Sequence, residues 1–243
     1  MGFMDIGRLT AVGLAICLAM GCSSGGGGNH FRAQSDKPSG DESGDNSGGV
    51  VVPASNATAG TASGQTYVTP TGATYTLVNV TGTSMSAGND GTLTYGSNGS
   101  NGYARYGAWY SKAHTTTEYF YTGDNPTQAN QVPSSGTATY AGRAVRANTT
   151  DGVSASSGST PVSFNVDFAA KTINGVTEER AGFSSVSMKG NINGGGFSGS
   201  ATSGTAKGTF AGHFYGADAA ELAGMATFAA DAKQNMAFGA VKQ

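Results

Sequence analysis

Phe210-Ala-Gly-His-Phe-Tyr-Gly216, followed by Ala219-Ala-Glu-Leu-Ala-Gly224 and a terminal Phe238-Gly-Ala-Val-Lys-Gln243, decides how this chain folds. Phe210 and Phe214 stand at every second position with Gly212 between them, which is the two-residue period of a strand with one buried face. Gly216-Ala-Asp-Ala219 supplies turn chemistry, because Gly tolerates positive φ and Asp can bond its own backbone. From Leu222 the alternation resumes through Gly224, Ala226 and Phe228. The pattern predicts an antiparallel pair of strands. Gly212 and Gly224, which would weaken an ordinary strand, predict close backbone approach or the tight curvature of a small barrel. The alanines of 217–232 favour helix by intrinsic propensity, but Gly224, Thr227 and the two-residue alternation favour strand.

Upstream, short β-prone runs recur between Gly, Ser and Asn turns. Gly makes up 40 of 243 residues and charged residues only 12%, with no collagen-like period, so the pattern is that of an all-β chain. Eight candidate strands follow a boundary at Gln131-Val-Pro-Ser-Ser-Gly136: 137–145, 162–168, 171–177, 184–192, 196–201, 208–215, 222–228 and 236–241. Eight antiparallel strands suit a small closed barrel, filled by its own side chains or by one small ligand. Val162, Phe164, Val166 and Phe168 form the clearest inward face, with Ser163, Asn165 and Asp167 outward. Before the boundary lie candidate strands at 74–80, 92–95, 103–110 and 117–121.

At the other end, Met1 to Gly21 reads as a secretory leader, with Arg8 ahead of an apolar run from Leu9 to Met20. That run is too short, and too closely followed by polar residues, to span a membrane. Leu18-Ala-Met-Gly-Cys22 is close to a bacterial lipobox, with Ala19 where Leu is usual, so Cys22 is the expected lipidation site. Cys17 lies within the leader, so the mature chain is expected to carry no disulfide. The Gly/Ser/Asn/Asp-rich stretch that follows cannot bury enough apolar surface to offset its ordering entropy. About forty such residues have a root-mean-square reach of roughly 35 Å. The expected organisation is a leader over 1–21, a flexible tether over 22–64, a β-rich handle over 65–134 and an eight-stranded barrel over 135–243.

The terminal segment resembles the barrel-closing end of the surface lipoproteins related to transferrin-binding protein B, in which a Gly-x-Phe-Tyr-Gly strand end, a Glu-Leu-x-Gly strand start and a Phe-Gly-x-x-Lys-Gln terminus recur together. Tyr119-Phe-Tyr-Thr-Gly123, then Asn125-Pro126, then Ser135-Gly-Thr-Ala-Thr-Tyr140-Ala-Gly142 resembles the entry into that barrel, and Phe164-x-Val-Asp-Phe168 its second strand. The resemblance implies a single handle-plus-barrel unit, displayed on the outer membrane by a lipid anchor, that binds an extracellular ligand through handle and barrel loops. Relatives bind host iron proteins, complement factor H or haem. The resemblance requires no cofactor, allows haem as a ligand, and is consistent with a monomer that takes a protein partner. A structural or adhesive surface lipoprotein without a small ligand is the alternative.

Chemistry for catalysis is sparse. Three His, two Cys and 15 acidic residues are all the chain offers, and no Ser-x-x-Lys, His-Glu-x-x-His, Cys-x-x-Cys or phosphate-cradling motif occurs. Glu178-Glu179-Arg180 reads as a solvated turn. A formal net charge of -2 with dispersed basic residues disfavours nucleic acid. The segment expected to meet a partner is 103–121, where Trp109, Tyr110, Tyr119 and Tyr121 flank a turn carrying His114. These aromatics suit a handle core, yet they fall on both strand faces, which predicts that some are exposed as interface anchors. His114 fits either a solvated turn or, by the resemblance to haem-binding relatives with a handle-side pocket, an axial haem ligand. His213 has the opposite parity to Phe210 and Phe214 and should point out of the barrel. His30 lies in the tether.

Overall fold

The strands β8 (Thr137–Arg146) to β15 (Met236–Lys242) close on themselves, each hydrogen-bonded to the next and the last to the first. Between them run β9 (Gly158–Asp167), β10 (Thr172–Thr177), β11 (Ser187–Asn193), β12 (Gly196–Ser203), β13 (Ala206–Tyr215) and β14 (Glu221–Thr227). This computed structural model describes residues 60–147, 158–180 and 182–243. The leader, Cys22, His30 and the tether up to residue 59 lie outside the described residues. Every pairing is antiparallel, and the barrel closes where Phe238 of β15 stands opposite Ala144 of β8. No strand edge is left open.

The expected alternation is what builds the interior. Val162, Phe164, Val166 and Phe168 are buried while Ser163 and Asn165 are exposed. Phe164, Phe197, Phe210, Phe214, Phe228 and Phe238 pack with Tyr140, Met188 and Met236 into one continuous core. Side chains therefore fill the lumen, and the small-ligand alternative for the barrel interior falls away. Gly212 and Gly224 stand opposite each other across β13 and β14. A Cβ on Gly212 would lie 2.3 Å from the Phe197 ring, and one on Gly224 2.7 Å from that of Phe238. Their expected close approach is made by rings crossing the bare backbone. The alanine-rich stretch is strand across 221–227, with only single 3₁₀ turns at Ala217–Ala219 and Ala232–Gln234.

Two small sheets precede the barrel. β1 (Thr61–Ser63), β2 (Thr66–Val68) and β3 (Thr74–Thr76) form one, and β4 (Thr83–Ala87), β5 (Gly91–Ser97), β6 (Ala104–Ser111) and β7 (Thr116–Gly123) the other. β1 corrects the expectation of a tether running to residue 64, because Thr61–Ser63 pairs with Thr66–Val68. β2 and β4 are further strands that the β-prone runs do not announce. Arg105 on β6 is 2% exposed and ties the segment after β3 to the second sheet: its Nε donates to the Leu77 carbonyl at 2.6 Å and its guanidinium pairs with Asp124 at 3.0 Å.

One face of the four-stranded sheet lies on the barrel. Tyr106, Ala108, Tyr119 and Tyr121 pack with Val145, Tyr215, Ala223, Met225 and Ala237. Barrel side chains here are small for a reason. A Cβ on Gly239 would sit 2.4 Å from the Tyr106 ring, so the outer surface of β14 and β15 must be thin for the sheet to settle. Polar clamps finish the joint. Glu221, 6% exposed, accepts from the backbone N–H of Tyr103 and Ala104 and from the Asn98 amide at 2.9–3.0 Å, and the Ala147 N–H donates to Tyr119 Oη at 3.1 Å.

Candidate functional site

The opposite face of the same sheet builds the site. Antiparallel register sets Trp109 across from Leu93 on one side and Glu118 on the other, and Ser111 across from Thr116, so these side chains share a face. Towards the barrel-linker end of that face, Tyr67, Leu77, Leu93, Tyr95, Trp109 and Phe120 make a second core under the three-stranded sheet. Tyr67 stacks on Phe120 at 4.6 Å between ring centroids, and Tyr75 tilts against Trp109 at 5.5 Å. Past Trp109 the cover ends. A recess of about 360 Å³ opens there, walled by Pro70, Asp90, Trp109, His114, Thr116 and Glu118 among others.

Each wall has a local cause. Pro70 and Thr71 come from the turn between β2 and β3, where the Ala73 N–H donates to Thr69 Oγ1 at 3.0 Å. Asp90 precedes β5, accepts from Thr71 Oγ1 at 3.4 Å, and receives the Lys112 N–H on its carbonyl at 2.9 Å. The β6–β7 turn carries Lys112 and His114, both exposed, with the Lys112 ammonium donating to the Gly88 carbonyl at 2.7 Å. Thr115 adopts positive φ to close that turn.

Glu118 is the unusual member. It is a carboxylate in the middle of an aromatic strand and is 1% exposed. Gly60 N–H and Tyr67 O–H both donate to its Oε2 at 3.0 Å. Burial raises the Glu118 pKa above the usual carboxyl value, and the two hydrogen bonds offset only part of that rise. Beside it the Thr116 hydroxyl is buried without a hydrogen-bond partner.

The five residues expected to meet a ligand divide between the two faces. Trp109 and His114 line the recess together. Tyr119 and Tyr121 belong to the joint with the barrel, and Tyr110, whose parity matches theirs, is likewise buried. Of the aromatics in this segment Tyr103 is exposed, as the two-face pattern predicts, but Trp109, Tyr110, Tyr119 and Tyr121, expected as interface anchors, are all buried. Both faces are covered, one by the barrel and one by the small sheet, and β6 is buried along its whole length. Burial pushes the Tyr119 hydroxyl up to about 12, and its oxygen is engaged by the Ala147 N–H within the joint. His213 points out of the barrel as expected, its Nδ1 2.7 Å from the Phe214 carbonyl, far in sequence and topology from the recess strands. Glu178, Glu179 and Arg180 are exposed in the β10–β11 connection. Glu118 and Asp90 were not expected in a site. The signal available was a charged residue amid a run that is otherwise Thr, Tyr and Phe.

Among the described residues no cluster of three or more His, Cys, Asp or Glu could hold a metal ion, and no helix is long and apolar enough to cross a membrane.

Comparison with known proteins places the barrel. Residues 132–242 match the family described as the C-lobe and N-lobe β barrels of transferrin-binding protein B. No curated protein sequence matches the chain. Among solved structures, the haemoglobin receptor HpuA from Kingella denitrificans is 17% identical, with a TM-score of 0.63 over 81% of this chain and 84% of that one. Transferrin-binding protein B from Haemophilus parasuis is 21% identical, with a TM-score of 0.54 over 73% of this chain and 41% of that one. The protein of the same name from serogroup B Neisseria meningitidis gives 21% and 0.56 over 74% and 39%. The chain thus spans about two fifths of the length of the transferrin-binding proteins it matches.

Proposed function

We propose, from the match of the barrel to the transferrin-binding protein B barrels, that the protein is a lipid-anchored outer-membrane receptor that captures an extracellular host protein carrying iron. The observation that carries this reading is the pairing of a filled, closed barrel with a handle whose recess lies on the face turned away from the joint. A packed lumen has no room to bind anything, so the barrel serves as a stand. Past the edge of the three-stranded sheet the recess brings Trp109 together with polar groups, which suits recognition.

The structural neighbours are named for the proteins they bind, a haemoglobin receptor and transferrin-binding proteins, and one was solved in complex with human haemoglobin. Binding, not turnover, is the activity this family supports. Anchoring rests on Cys22 and its lipobox, with the tether holding the receptor clear of the bilayer. Its expected signature is palmitate labelling that is lost in Cys22→Ser, together with protease sensitivity of the handle on intact cells.

Capture is tested by surface plasmon resonance with the immobilised protein against transferrin and haemoglobin, with haemin alone as a third analyte. Saturable binding of either protein supports the reading, and no response to both sinks it. A Soret band with haemin that disappears in His114→Ala would assign the imidazole as axial ligand. A band that persists in that variant excludes it.

A further inference from the structure

The recess carries more chemistry than an aromatic wall. Its floor is the cross-strand pair Trp109 and Glu118, and Asp90 stands on its rim. Both hydrogen bonds that hold Glu118 end on Oε2, which leaves Oε1 for a further donor. Thr116 Oγ1, on the same wall, is buried and unsatisfied. A buried carboxylate with a spare oxygen and a buried orphan hydroxyl are both costly unless something supplies hydrogens to them.

The recess contains one cation of its own, and it is already engaged. Lys112 is exposed, and its ammonium is held on the Gly88 carbonyl at 2.7 Å. His114 is exposed at the opposite end of the turn. Neither forms an ion pair with Glu118 or Asp90, since the one salt bridge among the described residues joins Arg105 to Asp124. What the recess lacks is a set of N–H donors for Glu118 Oε1 and Thr116 Oγ1, beside an indole.

We propose that this recess is a socket for a cationic side chain of the captured protein, arginine in preference to lysine, set against the edge of the otherwise buried Trp109 ring with its N–H groups directed to Glu118, Thr116 and Asp90. A guanidinium is planar, weakly hydrated and rich in donors, and it stacks on aromatic faces, whereas an ammonium is compact and strongly hydrated. A volume of about 360 Å³ readily admits such a side-chain end. The inference deepens the receptor reading and rests on it for the identity of the arginine's owner, but the socket can be tested without any partner.

Trp109 is the only tryptophan in the chain, so selective indole fluorescence reports directly from the socket floor. Purified full-length protein is titrated with N-acetyl-arginine amide, N-acetyl-lysine amide and the neutral isostere N-acetyl-citrulline amide. The expected result is a saturable change with the arginine amide at about 1–10 mM, the range for a small fragment. The lysine amide should bind more weakly, the citrulline amide at least about ten-fold more weakly, and added salt should reduce the response. Glu118→Gln should weaken the arginine amide at least about ten-fold. Where that variant fails to fold, Asp90→Asn, at an exposed rim position, replaces it and should weaken arginine without changing citrulline. Equal binding of arginine and citrulline amides, no binding of any of the three, or arginine binding untouched in the folded variants overturns the socket. A host protein that binds the receptor but does not compete with arginine amide would overturn the socket and leave the receptor reading standing.

Discussion

Two buried carboxylates, Glu118 on β7 of the handle and Glu221 on β14 of the barrel, decide much of what single residues do here. Glu221 clamps the handle to the barrel by accepting from Tyr103, Ala104 and Asn98. Burial raises its pKa above 4.5, against the smaller lowering effect of those donors. Removing the acceptor in Glu221→Ala strands buried N–H groups and should cost about 3 kcal/mol in urea unfolding. The pH dependence has a definite sign. A carboxyl whose folded-state pKa is raised contributes stability below its unfolded value, and that contribution is lost as pH rises through the folded value. Wild type should therefore match Glu221→Gln most closely below pH 4.5 and lose ground to it as pH rises above that value. A gap that moved the opposite way would mean the three donors outweigh burial. Glu118 and Glu221 show where single-residue reading stops. Glu221 is visible in the Glu-Leu-x-Gly strand start, but nothing in a three-residue neighbourhood reveals that its partners lie more than a hundred positions upstream. Trp109 and His114 were legible as candidates. Tyr110, Tyr119 and Tyr121 were misplaced because alternation shows that two faces differ, not whether each face has a neighbour covering it.

At the scale of elements, the stretches with large apolar residues at alternate positions announce themselves, and those built from Thr, Ser and Ala do not. β10 and β13 were readable because Ile173, Phe210 and Phe214 mark a buried side. β1, β2 and β4 are short and Thr/Ser-rich; β1 and β2 pair only within their own three-stranded sheet and are held by Ala62 and Tyr67 in the handle core, while β4 leans on the longer β5. β14 and β15 pose the reverse problem, since both their faces are buried. Their alanines resemble a helix until the sheet lying on Ala223, Ala237 and Gly239 is known. Gly239→Val should separate the two parts, because a side chain there drives into Tyr106 while leaving the interior of the barrel untouched. Calorimetry should then resolve two transitions where wild type gives one, and a single unshifted transition would contradict this account of the joint. β1 is equally testable. A chain beginning at residue 65 loses Ala62 from the handle core and the Gly60 N–H from Glu118. Its handle should unfold about 2 kcal/mol more easily than that of a chain beginning at residue 59, with faster amide exchange across β2 and β7.

As a whole molecule, on the proposed reading, the protein separates holding from recognising. The barrel reads clearly in the sequence because its interior is a repeated pattern of Phe and Val set against polar outward positions, closed by the terminal Phe238-Gly-Ala-Val-Lys-Gln243. The handle reads poorly because it is a sheet between two covers, and its order depends on long-range clamps such as Arg105 and Glu221. On the proposed reading, the recess at Trp109 and Glu118 is the site at which the handle meets a partner. Measuring transferrin and haemoglobin capture by wild type, Trp109→Ala, Glu118→Gln and the outward barrel variant Asn174→Lys tests that division most directly. Saturable capture that falls at least about ten-fold in both recess variants and is unchanged in Asn174→Lys is the predicted result. Capture lost in Asn174→Lys but preserved in both recess variants would show that the barrel surface is the receptor and contradict the account.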